Sequence, residues 1–468
     1  MVREILEERP RARVEFWTDK KYYKNVVRIT TEIGVSWGEE SRLSGKRQYV
    51  QVRKIMAGKF RRYAGWSLRD YFANLGTTVK DLIIGNFIGL VGFVGGIIQS
   101  FFRMLPRGNR PDVIFLKGGF VGLPVGIVAR FLKIPYVIHE SDATPGLANR
   151  LLMKRARVVA LSLDSVTSTA ERSASSEDAR FARGTSSTVR SSAPSSSHSI
   201  SAEDAIASSK YVVTGVPVAA EFKKVSNTRQ KQLKKAFGFD EERPLVVMTG
   251  GSQGSKNMNE AMREILPEML KFTSVGLVAG RQRYEEMVDL KKYEDWDKAK
   301  LKSDFRLWAF NSAMNELMGA ADVVISRAGA TTIAELAALS KAVILVPFEM
   351  LPGGHQTKNA ERLVDLGAVA MIGDERMCNQ PGILLELTQK LVRSPKLRAD
   401  LAARLHETYK PHAARDLAEI LIGLADGKEV LADKNIVSEK DAVVDKDTAG
   451  EKDAAADKIK GGKKDVEA

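Results

Sequence analysis

The residues best suited to chemistry lie in short polar clusters that each follow an apolar, β-branched run. Gly250-Gly251-Ser252-Gln253-Gly254 follows Leu245 to Thr249 and precedes a helix predicted to begin near Ser255. A strand, a glycine turn and a helix N-terminus bring backbone N–H groups and the positive end of the helix dipole to one point, where a diphosphate can be held without a metal. Glycines let the backbone approach such a ligand, and Ser252 could donate a hydroxyl hydrogen bond. The same glycines would serve a plain tight turn. Their spacing is neither G-x-G-x-x-G nor Walker A, which argues against a dinucleotide or ATP enzyme.

A second cluster, Ser326-Arg327-Ala328-Gly329-Ala330-Thr331-Thr332-Ile333-Ala334-Glu335, follows another strand. Glu335, one turn into a helix predicted over Thr332 to Ala338, could accept both hydroxyls of a ribose or could be the glutamate of a capping box with Thr331-Thr332. The third cluster, Pro347 to Ala360, reads as a loop carrying His355, Gln356 and Asn359. In the other half, Gly118, Gly119 and Gly122 follow a strand at Val113 to Leu116 and could hold a second phosphate or serve close helix packing. His139, Glu140 and Asp142 stand at the end of the strand Tyr136 to His139, where proton-transfer groups are often placed, and His139 could equally be structural. In an open parallel sheet the ligand crevice lies outside the strand carboxyl ends, so polar loops at successive strand ends point to one shared site.

Strand-like runs followed by glycine turns and amphipathic stretches recur along the chain, the pattern of βα units around parallel sheets. Two doubly wound α/β domains follow, one over 1–218 and one over 219–426, with the last helix able to pack back on the first domain. A Ser, Thr and Ala-rich stretch at 163–209 and a charged tail at 427–468 lack a core-forming period and read as low-complexity sequence.

The 468 residues exceed one hydrophobic core, and 44% hydrophobic with 28% charged residues is a globular composition. Lys and Arg number 72 against 58 Asp and Glu, a formal charge of +14 that suits phosphorylated substrates or an anionic surface. Basic residues are not interleaved with aromatics in any nucleic-acid module, so no nucleic-acid partner is predicted. The one cysteine, Cys378, excludes an intramolecular disulfide, and no metal site is predicted. The charged N-terminus lacks the apolar core of a secretory signal, which predicts a chain that stays inside the cell.

Residues 82–102 carry no charge and are long enough to cross a bilayer, but include five glycines with Asn86 and Gln99. A span, a helix lying in the membrane interface and a buried helix are all compatible with this pattern. Lys46, Arg47, Lys54, Lys59, Arg61 and Arg62 upstream, and Arg103 and Arg107 after it, would suit anionic headgroups.

The segments DVIFLKGGFVGLPVGIVARFLKIPYVIHESDATPGLANRLL, VVMTGGSQGSKNMNEA and DVVISRAGATTIAELAALSKAVILVPFEMLPGGHQTKNAERLVDLGAV resemble the bacterial transferases that add N-acetylglucosamine to lipid-linked N-acetylmuramyl-pentapeptide in peptidoglycan synthesis. The resemblance covers residues 111–162 and 212–370. It implies a GT-B fold, UDP-N-acetylglucosamine as donor without a cofactor, an undecaprenyl-linked muramyl acceptor, and a peripheral position on the cytoplasmic face of the membrane. It further implies that Ser252 and Gln253 contact the donor diphosphate, Glu335 the ribose hydroxyls, Gln356 the sugar or phosphate and the backbone of Phe310-Asn311 the uracil, with Gly251, Gly254, Ala330 and Thr331 also in the donor site. Family members open on a strand and a GGTGGH-type loop that this sequence does not show, and Met1 to Pro10 reads as the helix that would follow it. A late start codon would explain this, as would a non-catalytic UDP-sugar-binding homologue, and a related transferase with another donor is a third reading. Ala219 and Asp142 also stand where the family usually has Arg and Asn.

Overall fold

The computed structural model describes residues 1–30, 49–58, 84–162, 210–251, 253–293, 305–350 and 354–428. The serine-rich stretch 163–209 and the charged tail beyond 428 lie outside these residues, as do Ser252 and Lys46, Arg47, Lys59, Arg61 and Arg62.

The second half of the chain forms a six-stranded parallel sheet in the order β12-β11-β10-β7-β8-β9, with β7 at Leu245–Thr249, β8 at Ser274–Val278, β9 at Phe305–Trp308, β10 at Val323–Ser326, β11 at Ala342–Leu345 and β12 at Ala370–Met371. Alternation along β7 shows why the sheet is apolar on both faces. Val246 and Met248 pack with the helices Lys256–Met269 and Pro381–Arg393, whereas Leu245 and Val247 pack with Met314–Ala320 and Ala330–Leu339. Successive side chains of a strand point to opposite faces, so a strand covered by helices on both sides must read as a continuous apolar run. The strand order reverses between β7 and β10. That reversal opens a crevice at their carboxyl ends.

The first half holds a four-stranded parallel sheet, β3-β4-β5-β6, formed by Ile114–Leu116, Tyr136–Glu140, Val158–Leu161 and Tyr211–Val213, and a separate parallel pair, β1 at Arg13–Thr18 with β2 at Tyr49–Lys54. Tyr136 and Ile138 of β4 face the helices Gly119–Phe131 and Leu147–Met153. Val137 faces the other way, into a cluster with Ile420, Leu421 and Leu424 of the final helix, Ala413–Ala425. The chain therefore enters the second domain after β6 and returns to the first with its last described helix.

The uncharged stretch forms the helix Gly85–Met104. Its glycines at 85, 89, 92 and 96 recur at helical spacing and share one face. Close packing explains them: a Cβ on Gly96 would lie 2.2 Å from the Met56 carbonyl oxygen, and one on Gly92 3.3 Å from that of Ala57. Gln99 is tied to the same segment, donating to the Lys54 carbonyl and accepting the Met56 N–H, both at 2.9 Å. The opposite face is open, with Phe87 66%, Ile88 64% and Phe102 67% exposed. A buried core helix, one of the three sequence readings, is therefore not what forms. By length and composition the helix could cross a membrane.

Candidate active site

The crevice between β7 and β10 is lined by two loops, each followed by a helix N-terminus. After β7, Gly251 and Gly254 both have φ in the left-handed region, at +86° and +81°. Gly254 also needs to lack a side chain, since a Cβ there would stand 2.0 Å from the Ala279 carbonyl oxygen in the loop after β8. Gly254 N–H bonds the Gly251 carbonyl at 3.0 Å, closing the turn. Ser255 then caps the helix Lys256–Met269, its hydroxyl accepting the Met258 N–H at 3.4 Å. Gln253 is exposed at the mouth of this turn.

After β10, the helix is Ala330–Leu339 and its N-cap is Gly329. Thr331 and Thr332 thus lie inside the first turn, Gly329 has no side chain to cap with, and the expected capping box does not form. Glu335 is left half-buried on the second turn without that structural duty. Burial, reinforced by the charge of Glu221, raises its carboxyl pKa to about 7.

The two loops and the end of β11 are tied by one side chain. Arg327 donates to the Val346 carbonyl at 3.1 Å, reaches the Ser255 hydroxyl, and pairs with Asp374 at 2.6 Å. Asn257 holds the other carboxylate oxygen of Asp374 at 2.5 Å. Sequence reasoning gives Arg327 no role and overlooks Asp374, whose one signal is its place at the first position of a helix after β12. At the far side, Phe310 stands 45% exposed with the Arg281 guanidinium 4.2 Å above its ring, and Asn311 turns the following backbone by accepting the Ala313 N–H at 2.8 Å.

His355, Gln356 and Asn359, expected on a loop, lie on the helix His355–Asp365. Glycine at 354, with φ +60°, lets the chain turn directly into that helix, which is why a polar run reads as loop and folds as helix. Gln356 accepts the Phe348 N–H at 2.9 Å. The same helix meets the loop after β4 in the other domain, so the carboxyl ends of the two sheets face each other across a cleft.

On the first domain, Gly118 and Gly119 both have positive φ, at +80° and +78°, and lead into the helix Gly119–Phe131 with Gly122 in its first turn. A Cβ on Gly118 would press 3.0 Å from the Asn149 amide, and Asn149 in turn donates to Glu140 at 2.8 Å. Glu140 is buried and also accepts the N–H groups of Asp142 and Gly146, each at 3.1 Å. His139 is fully buried, its Nε2 2.8 Å from the Gly215 carbonyl and its Nδ1 3.3 Å from the Ser141 hydroxyl. Burial holds its pKa below the usual histidine value. The structure thus places His139 and Glu140 beneath the site as supports for backbone, and leaves only Asp142 of the three partly open to the cleft.

Two parallel-sheet domains with facing strand ends and a phosphate-type loop at the switch point define a glycosyltransferase of GT-B architecture. Sequence comparison gives the family. The glycosyltransferase family 28 N-terminal domain matches residues 28–161 and the C-terminal domain of the same family matches residues 245–419. A Caldicellulosiruptor saccharolyticus protein named UDP-N-acetylglucosamine–N-acetylmuramyl-(pentapeptide) pyrophosphoryl-undecaprenol N-acetylglucosamine transferase is 27% identical over 86% of this chain and 90% of its own length. The Listeria welshimeri protein of the same name is 30% identical over 74% and 82%. Among solved structures, Acinetobacter baumannii MurG superposes with a TM-score of 0.56 at 20% identity, covering 90% of this chain and 94% of that one. The chain belongs to glycosyltransferase family 28.

Proposed function

We propose that this protein transfers N-acetylglucosamine from UDP-N-acetylglucosamine to the 4-hydroxyl of lipid-linked N-acetylmuramyl-pentapeptide, with inversion at the anomeric carbon. The observation that carries the reading is the convergence of the β7 and β10 loops at the switch point, locked by Arg327, in a chain whose curated relatives bear that transferase name. Gly251, Gln253 and Gly254, with Ser252 between them, take the diphosphate on backbone N–H groups and the helix dipole, which stabilises the charge on departing UDP. Glu335 accepts the ribose hydroxyls from the neighbouring helix, flanked by Ala330 and Thr331. Phe310 and Asn311 border the uracil, and Gln356 meets the sugar or phosphate. Gly118, Gly119 and Gly122 receive the acceptor diphosphate at their own helix N-terminus. Proton removal is assigned to none of His139, Glu140 and Asp142: His139 and Glu140 are committed to holding backbone, and Asp142 accepts the Asn359 amide.

The acceptor's lipid tail requires the enzyme to work at a bilayer. Beside the exposed face of Gly85–Met104, Phe131 is 73% exposed and 5.9 Å from the Phe101 ring, and Leu147 and Leu151 are exposed on the helix that packs on Gly119–Phe131. Arg107, Arg110, Arg130 and Arg150 are exposed on the same helices and turns. An apolar face bordered by cations fits a helix lying in the interface of an anionic membrane, at its cytoplasmic surface.

Transfer of labelled N-acetylglucosamine to a lipid-linked muramyl acceptor tests the reading. Activity in the full chain that is lost in Glu335→Ala supports it. A folded chain that binds UDP and transfers nothing overturns it.

A further inference from the structure

Hydrogen bonds that cross the cleft gather on one helix. Residues four apart on a helix share a face, and His355 and Asn359 both reach from the helix His355–Asp365 to the loop after β4. Asn359 Nδ2 donates to Asp142 Oδ1 at 2.9 Å, while Asn359 Oδ1 accepts the Ala143 N–H at 2.7 Å. The same Nδ2 lies 3.1 Å from the carbonyl oxygen of Ala328, in the loop after β10. His355 Nδ1 lies 3.1 Å from the Thr144 carbonyl oxygen one turn away. Asn359 is buried by this arrangement. A single amide therefore reads a carboxylate and an N–H of the acceptor domain while touching the loop that leads to Glu335.

We propose that Asn359 and Asp142 form a clamp that sets closure of the cleft, with Asn359 as a positioning residue that holds the acceptor-side loop in register with the donor site. Orientation is what the clamp supplies: a hydroxyl must approach the anomeric carbon in line with the leaving diphosphate, and the two substrates rest on different domains. The contact is suited to reversible use. Opening the cleft exposes Asp142 and the Ala143 N–H to water, which replaces the lost bonds, so closure is favoured by the modest net value of hydrogen bonds to a charged group rather than by a large apolar interface. Gln356, on the same helix turn and bonded to Phe348, lets the element that meets the donor also move the clamp.

The proposal rests on the transferase reading for its kinetic arm only. In the full chain, Asn359→Asp sets two carboxylates against each other, and the double variant Asp142→Asn with Asn359→Asp restores an amide–carboxylate pair of reversed polarity that can still accept the Ala143 N–H. The bond to Ala328 is lost in both, so recovery isolates the Asp142 pair. With a hydrogen bond to a charged group at stake, Asn359→Asp should lower kcat/KM for the lipid-linked acceptor about tenfold or more, and the double variant should recover most of that. UDP-N-acetylglucosamine affinity, measured by calorimetry, should stay within about twofold in all three proteins, which also shows that they fold. Small-angle scattering should show a larger radius of gyration for Asn359→Asp and a return in the double variant. An unchanged radius in folded Asn359→Asp, or donor affinity lost in step with kcat/KM, overturns the clamp. If the unsubstituted chain transfers nothing, the transferase reading fails while the scattering comparison still decides the clamp.

Discussion

The guanidinium of Arg327 lies 2.6 Å from the Asp374 carboxylate, an ion pair rather than an aligned hydrogen bond, with both groups largely withdrawn from water. The same cation reaches the hydroxyl of Ser255, which caps the helix after the Gly250–Gly254 turn. A planar guanidinium can serve a carboxylate, a hydroxyl and a carbonyl at once, whereas an ammonium is a single point of charge. Arg327 thus fixes the spacing of the β7 and β10 loops before any ligand arrives.

Arg327→Lys should therefore weaken UDP-N-acetylglucosamine binding by about tenfold while leaving the protein folded. Asp374→Ala should be the more damaging change to stability, by about 3–5 kcal/mol, because it strands a buried cation. Calorimetric titration and thermal unfolding of the two variants separate these effects.

With Glu335 as the proposed acceptor of the ribose hydroxyls, donor binding should depend on pH. Its pKa of about 7 in the free protein means that it is protonated below neutrality, and a carboxylate is the form that accepts two ribose hydroxyls. Binding should release a proton below pH 7, with affinity falling up to about tenfold per pH unit on the acid side and level above it. UDP-N-acetylglucosamine is the right probe because its phosphates do not titrate in this window. Titrations at pH 6 in buffers of different ionisation enthalpy read the released proton, and Glu335→Gln should remove both the proton and the slope.

His139 should behave as a support and not as a base. Removing its ring leaves the Gly215 carbonyl with only the Thr214 hydroxyl, at 3.3 Å, as a side-chain partner, a loss of about 1 kcal/mol in His139→Ala. Its folded pKa lies below 6.5, so as pH falls through 6.5 the unfolded chain takes up a proton that the folded chain refuses, and stability declines toward acid. Denaturation at several pH values should show that decline in the parent and a shallower one in His139→Ala. The pH profile of transfer should keep its shape in the variant.

The exposed apolar helix gives a test of membrane docking that is independent of chemistry. Phe87→Asp and Ile88→Asp each remove about 1.5–3 kcal/mol of available apolar burial. Co-sedimentation with vesicles containing anionic lipid should drop at least about tenfold in the double variant, with UDP-N-acetylglucosamine affinity unchanged.

The parallel sheet of the second domain is legible in the sequence because its strands are buried on both faces and read as unbroken apolar runs, as in Leu245 to Thr249. The turn chemistry is legible too, since Gly251 and Gly254 both take positive φ, and Gly254 also lies too close to the Ala279 carbonyl for any side chain. What fails to read is long-range. The capping box at Thr331-Thr332 is a local pattern overridden by a glycine N-cap, and the helical run at 355–359 turns His355 and Asn359 to a second domain instead of water. Strand position alone leaves His139 open as base or support, and its burial against the Gly215 carbonyl is invisible in one dimension. Asp374 finds Arg327 from 47 positions along the chain, and no spacing rule connects them.

The return of the last helix to the first domain has a mechanical consequence. Gly215, where the chain leaves that domain, packs directly against Lys410, where it comes back, and His139 pins the outgoing strand from below. Two crossings side by side act as a hinge with a single axis, where one crossing would act as a string. Such a hinge resists twisting and sliding more than bending, so closure about it would return Asp142 to the same place opposite Asn359.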